Sequence, residues 1–437
     1  MADSITKAQL SNGMLVLLKE IHTAPLISHW VWYRVGSRDE FPGITGISHW
    51  VEHMQFKGTP QFPAGELDKA ISRYGGIWNA MTFNDWTTYL ETLPSHAIDL
   101  ALRLEADRMV NSLFDPGEVA TERTVIISER QGNENDPLFK LGEEVQASAF
   151  RLHPYRHEVV GDMPDLETMQ RDDLYQHYRT YYTPNNAVLT LAGDFKSAEM
   201  LERIQELFEP IPKGSTPPQK SRPEPPQSGE RRVTVEGPGE TTFLQVAYHA
   251  PAGADPDFFP LTVLDSLLSG PSSFNLFGSG LSNKTSRLYQ ALVERDLAVS
   301  VYGDLQATID PFLYTITITV HPQRTADEVL IALDEELDRS KQKPPSGKEI
   351  SRAIKQAKAL FAYGSESITN QAFWLGFAEM FASYEWFLTF LDRLSTITPQ
   401  DVLCLAQNYL RPQNRVVGVY LPTNNLTTNQ NHNQVVT

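Results

Sequence analysis

The stretch Gly46-Ile47-Ser48-His49-Trp50-Val51-Glu52-His53-Met54 constrains this chain more than any other. It reads as an amphipathic helix, with Thr45 available to cap the start and Gly58 to end it. On a helix, positions i, i+3 and i+4 share a face, and His49, Glu52 and His53 occupy those positions. Two imidazoles one turn apart can grip one zinc ion, and a carboxylate beside them can take a proton from water. The order His-x-x-Glu-His reverses the commoner His-Glu-x-x-His. The competing reading is a pair of solvated histidines on a surface helix. It leaves the supporting residues downstream without a purpose.

Composition narrows the classes. The chain has 437 residues, length enough for two or three domains. Its 54 acids against 37 bases give a net charge of -17, which argues against nucleic acid as a partner. The single cysteine, Cys404, excludes an internal disulfide. No apolar run approaches the length of about 18 residues that a membrane helix needs, so no membrane span is expected. Met14 to Leu18 is too short for a signal peptide and is closed by Lys19 and Glu20; the expected location is cytoplasmic.

The periodicity predicts strands at Met14 to Leu18 and Leu26 to Val35, and helices at 45–57 and 66–74. Paired strands follow over Trp78 to Leu93, with a turn at Asn84-Asp85. A helix covers Ile98 to Leu113, and the next starts with Asp115 as cap and Pro116 in the first position. A helix at 171–182 and a strand at 187–193 close the first half. In the second half the pattern predicts strands at 233–248 and 311–320, and helices at 259–268, 284–295, 325–339, 346–362 and 370–395. Asp173, Tyr181, Pro184, Asn186 and Val188 recur 228 positions later as Asp401, Tyr409, Pro412, Asn414 and Val416. This internal repeat implies two homologous halves. Residues 1–211 form the first, 212–232 a proline-rich linker, 233–422 the second, and 423–437 a polar tail. The expected class is α+β: two sandwich domains, each a mixed or antiparallel sheet with helices on one face.

Zinc on two histidines needs a third protein ligand. Glu122 and Glu129 lie two turns apart on one helix face, so one can ligate while the other hydrogen-bonds a ligand histidine. Spacing alone does not separate this from two solvated acids.

Further segments carry a resemblance to the M16 family of inverted-motif zinc peptidases, which includes mitochondrial processing peptidase and pitrilysin-type enzymes. Glu129 lies 76 positions after His53, where that family has its third ligand, and Glu122 matches its accompanying acid. Gly75, Gly76, Asn79, Ala80, Thr82, Asp85, Thr87 and Tyr89 match a family segment in register, as do His153, Pro154 and Tyr155. The resemblance covers essentially the whole chain. It implies a metallohydrolase fold, Zn2+ on His49, His53 and Glu129, and catalytic roles for Glu52 and Glu122. It also implies substrate contacts at Asn79, Ala80 and Thr82, and the dimeric habit of the short bacterial members.

One departure matters. Family members that work alone carry an Arg and a Tyr in the second half, facing the active site; here the matching positions are Val293 and Val299. Arg295 and Tyr302 are nearby but out of register, and strand alternation predicts Tyr302 on the face opposite Val299. The expectation is a heterodimer whose homologous partner supplies those donors, with a homodimer as the alternative. A glycine-rich loop, Ser269-Gly270-Pro271 through Gly278-Ser279-Gly280, resembles a substrate-handling loop of the family and reads equally well as a plain surface loop. The leading expectation is thus a zinc endopeptidase subunit acting on unfolded peptides. The alternatives are a non-catalytic structural subunit of a larger complex and hydrolysis of a small, modified peptide.

Overall fold

A computed structural model describes residues 5–218, 222–270, 283–364 and 366–423. The glycine-rich loop from residue 271 onward and the polar tail from 424 lie outside the described residues. Strands β1 (Ile5–Gln9), β2 (Leu15–Glu20), β3 (Leu26–Tyr33), β4 (Ile77–Thr82), β5 (Thr87–Pro94) and β6 (Ala187–Gly193) form one sheet in the order β1-β2-β6-β3-β5-β4. Strands β7 (Arg231–Pro238), β8 (Phe243–His249), β9 (Ala298–Leu305), β10 (Leu313–Val320) and β11 (Arg415–Thr423) form a second, in the order β7-β11-β8-β10-β9. Each sheet is mixed. One pair is parallel, β2 with β6 and β7 with β11, and the other pairs are antiparallel. Apart from β1, the second sheet repeats the order of the first.

The helices of the first half are α1 (Ile47–Met54), α2 (Glu66–Arg73), α3 (Ile98–Asn111), α4 (Pro116–Asn133), α5 (Pro137–Ala149), α6 (Met163–Thr168), α7 (Arg171–Tyr181) and α8 (Ser197–Phe208). Those of the second are α9 (Phe258–Leu268), α10 (Ala326–Gln342), α11 (Gly347–Gly364), α12 (Ile368–Phe381), α13 (Tyr384–Thr396) and α14 (Pro399–Tyr409). Among the described residues no helix is long and apolar enough to cross a membrane. The repeated asparagines do the same work in both halves. The Asn186 side-chain amide donates to the carbonyls of Tyr181 (2.9 Å) and Arg34 (3.2 Å), and that of Asn414 to Tyr409 (3.0 Å) and His249 (2.9 Å). Each ties the end of a helix to the strand beside the one that follows it.

Alternation along β3 divides the core. Val31 and Tyr33 point into a cluster with α1, α3 and α7, while Trp30 and Trp32 point the other way. The Trp30 and Trp32 rings stack at 5.4 Å and meet Phe373 of α12. Gly376 is what lets α12 come this close: a Cβ there would lie 2.0 Å from Trp32 Nε1. In the second half, α5 returns the arrangement, packing Leu141, Val145 and Ala149 against Ala247, Val416 and Tyr420. Helices thus pack on one face of each sheet from its own half, and the opposite face takes one helix from the other half. Hydrophobic periodicity shows that a helix has an apolar face, not which sheet that face will meet.

Two further expectations shift. The run 233–248 is two strands, broken at Gly239, and the helical run 370–395 breaks at Ala382. The described residues between 212 and 230 contain no helix or strand.

Polar contacts lock the halves together at the turn of the β4–β5 hairpin. Asp85 accepts from the Tyr155 hydroxyl (2.6 Å) and from the Ile309 N–H (2.8 Å). Asp310 accepts from Arg38 Nε (2.7 Å) and pairs with His153 Nε2 (3.0 Å). Burial pushes the Asp85 carboxyl up to about 6. The His153 hydrogen bond, with Arg38, holds Asp310 down to about 2. A folded-state value below the ordinary 3.8 means that Asp310 stabilises fully above that pH, and the contribution is lost as pH falls through about 2. Asp310→Asn is therefore expected to cost about 1.5 kcal/mol near neutral pH, the lower end for a charged hydrogen bond because the group is partly exposed. It should also flatten the loss of stability between about pH 4 and pH 2. Urea unfolding at several pH values checks both.

Candidate metal centre

Helix α1 starts differently from expectation. Thr45 does not cap it; its hydroxyl donates to Asp165 Oδ2 at 2.7 Å. The cap residue is Gly46 at φ 84°, and a Cβ there would meet the Val160 carbonyl at 2.5 Å. The buried carboxylate of Glu40 takes over, accepting from the N–H groups of Gly46 (2.7 Å) and Ser48 (2.9 Å). The helix ends at Met54 with Gln55 as its cap, short of Gly58. Ile47, Trp50, Val51 and Met54 face the core, which leaves His49 and His53 on the opposite side.

Helix α4 lies across that side. Asp115 caps it as predicted, accepting from the N–H groups of Gly117 (2.8 Å) and Glu118 (3.2 Å). Its Glu129 Oε2 stands 3.8 Å from Nε2 of both His49 and His53. The three ligand atoms lie within 4.8 Å of one another, and no other such group of three occurs among the described residues. Zinc ligands about 2 Å from the ion stand roughly 3.3 Å apart in tetrahedral geometry, so this set is slightly open. Two imidazole nitrogens and a carboxylate oxygen suit zinc. One turn back from Glu129, twice over, Glu122 Oε1 pairs with His53 Nδ1 at 2.9 Å. Nδ1 donating to Glu122 leaves the Nε2 lone pair pointing at the centre. The two acids that spacing left open are thereby separated: Glu129 joins the cluster and Glu122 orients His53.

The electrostatics favour a cation. Burial, with His53 next, lowers His49 to about 3, so this imidazole is neutral. Burial works against a proton on His53 as well, but the Glu122 hydrogen bond and the charges of Glu52, Glu122 and Glu129 outweigh it and raise its pKa. Burial pushes Glu52 up to about 7, opposed by a hydrogen bond from Thr82. The His53 hydrogen bond holds Glu122 below the ordinary carboxylate range, assisted by Lys57. Lys57 pairs with Glu122 Oε2 and is a site residue that motif reading passes over. Its signal was available, since Lys57 follows His53 by one helical turn.

The edge strand β4 runs beside α1. Trp78, Ala80 and Thr82 alternate toward the helix: Trp78 packs on Phe56 at 4.6 Å, Ala80 is buried, and the Thr82 hydroxyl donates to Glu52 Oε2 at 2.6 Å. Asn79 is exposed on the other face. Of the three residues expected to contact substrate, Asn79 alone presents a free side chain. On β9 the alternation argument fails locally. Ser300 pairs with Thr319 and Ala298 with Val320, so Val299 bulges out, and both Val299 and Tyr302 are exposed.

Comparisons with known proteins bear on the family of the whole chain. Residues 15–163 match the family model for insulinase (peptidase family M16), and residues 168–357 that for the peptidase M16 inactive domain. An uncharacterized zinc protease of Streptomyces coelicolor is 27% identical over 426 residues, covering 95% of this chain and 90% of that protein. An uncharacterized zinc protease of Mycobacterium leprae is 30% identical over 327 residues, 74% of this chain and 71% of that protein. The crystal structure of a protease from Helicobacter pylori matches with a TM-score of 0.89 at 25% identity, over 96% of this chain and 100% of that one.

Proposed function

The chain belongs to peptidase family M16, and on that premise we propose that it is the zinc-bearing, peptide-cleaving subunit of a pair. The observation that carries the proposal is the meeting of His49 and His53 from α1 with Glu129 from α4, with Glu52 beside them. A zinc ion on those three side chains would polarise a water molecule and the carbonyl it attacks. Glu52 takes the proton from that water and returns it to the leaving amine nitrogen. Glu122 keeps the His53 proton on Nδ1. Strand β4 is the edge of its sheet, so its outer backbone groups are open to an extended peptide, and the exposed Asn79 side chain is the one we assign to hold its main chain. That mode selects unfolded substrates. The partner is inferred from Val293 and Val299, which cannot donate hydrogen bonds where self-sufficient relatives place Arg and Tyr.

The test is zinc analysis together with peptide cleavage. Stoichiometric zinc, lost in His49→Ala, and cleavage of unfolded peptides by the co-purified pair support the reading. A metal-free chain, or one without peptidase activity in any assembly, overturns it and favours a non-catalytic subunit. Purified chain that cleaves alone at an ordinary metallopeptidase rate overturns the need for a partner.

Lys57 supplies a separate expected result. Lys57→Met removes the cation that anchors Glu122. Because Lys57 touches Glu122 and no ligand, zinc affinity measured by chelator competition should fall, but by less than the about 10- to 100-fold expected on removing Glu122, the direct partner of His53. Lys57→Arg should retain most of it.

A further inference from the structure

The hydroxyl of Thr82 has a constrained set of neighbours. It lies 2.6 Å from Glu52 Oε2 and 3.3 Å from Thr87 Oγ1. Thr87 gives its own proton to the Val35 carbonyl at 3.0 Å. The Thr82 proton is therefore committed to Glu52, the nearest acceptor. As a β-branched residue on a strand, Thr82 has few χ1 choices, so the donor is aimed by the backbone itself. Glu52 is buried, and among the described residues its Oε1 makes no hydrogen bond. The carboxylate thus has one anchored oxygen and one free oxygen.

We propose that Thr82 is a positioning residue for the base: by holding Glu52 Oε2 it assigns the proton transfer to Oε1 and couples that oxygen to the edge strand on which substrate would pair. The inference rests on the peptidase reading above and deepens it. Thr82 and Thr87 are the last pair of the β4–β5 ladder. Strand β4 is paired with β5 along its whole length and Thr82 already holds Glu52, so the base is aligned on the same strand to which an extended peptide would add. Thr82 touches neither the water nor the peptide, so its effect should appear in turnover rather than in binding.

The experiment compares Thr82→Val and Thr82→Ser in the active assembly. Valine keeps the shape and removes the donor; serine keeps the donor. Thr82→Val should retain stoichiometric zinc and thermal stability, lower kcat about 10- to 100-fold and leave KM within about twofold, as expected for the loss of one hydrogen bond to a charged group. Thr82→Ser should restore most of kcat. A phosphinic peptide inhibitor, which offers Glu52 an oxygen in place of the attacked carbonyl, gives a readout without turnover. Its affinity should fall in Thr82→Val and recover in Thr82→Ser. Wild-type kcat in Thr82→Val overturns the assignment, and so do a rise in KM alone, loss of zinc or fold, or failure of serine to rescue. A wild-type assembly that holds no zinc and cleaves nothing overturns the peptidase reading, and this inference with it.

Discussion

Glu52→Gln is expected to leave zinc stoichiometric and to reduce peptide hydrolysis by at least about 10²- to 10⁴-fold, the usual contribution of a positioned general base. Glutamine matches glutamate in shape, and its amide oxygen can still accept from Thr82. What it cannot do is take a proton from water. The position is well chosen for that task. Burial drives the Glu52 carboxyl up to about 7, while the Thr82 hydrogen bond and His53 pull against it. A cation in the cluster would add to the downward pull. The balance of these influences is already in that value, and a bound cation would lower it from there, toward the ionised form a base needs. Zinc content separates this loss from collapse of the site, because Glu52 is not among the three converging ligands. Cleavage of an unfolded, quenched-fluorescence peptide by the assembled enzyme is the measurement. Near-wild-type turnover in Glu52→Gln removes Glu52 from the base role.

The site was more legible than the packing. His49, Glu52 and His53 are separated by helical intervals, so one local rule placed them on one face. Glu129 comes from another helix, and spacing could not choose it over Glu122; resemblance did, and the two distances now assign the two acids different jobs. The cap of α1 was misread because the acid that accepts its N–H groups, Glu40, sits in a preceding loop with no fixed spacing. Asp85 shows how a turn former can also be a tie: its place at the hairpin tip was readable, while its bonds to Tyr155 and Ile309 depend on chain more than 60 positions away. The exchange of α5 and α12 between the halves was invisible for the same reason. Both are amphipathic or apolar stretches, and no local pattern records the sheet they cover. On β9 a single bulge at Val299 was enough to break a correct rule about alternation.

Arg108→Met is expected to be the most destabilising single change in the first half, by about 3–5 kcal/mol, the cost of leaving a buried ionic group without its partner. In sequence, Glu105 and Arg108 look like an ordinary i, i+3 pair on the solvated face of a helix. In the fold both side chains are buried, together with Glu91 and His29. Arg108 Nε donates to Glu105 Oε2 at 3.0 Å, and its Nη2 reaches Glu91 Oε1 at 3.4 Å. Its guanidinium lies over the Tyr89 ring at 4.0 Å. Glu91 Oε2 pairs with His29 Nδ1 at 2.9 Å. Burial raises Glu105 well above the ordinary value and lowers His29 to about 4, so the histidine supplies no charge at neutral pH. Among the described residues Arg108 is then the one cation beside these two buried carboxyl groups, which also hydrogen-bond each other, and methionine leaves them without it. The denaturation midpoint should fall sharply in Arg108→Met. Adding Glu105→Leu should recover part of the loss, because removing both partners of a buried pair costs less than removing one. Arg108 makes no hydrogen bond to His49, Glu52, His53 or Glu129 among the described residues. Zinc binding by the fraction that stays folded is therefore expected to persist. A midpoint unchanged in Arg108→Met would mean that the hydrogen bond between the two acids suffices without a cation, and the double variant would then show no recovery.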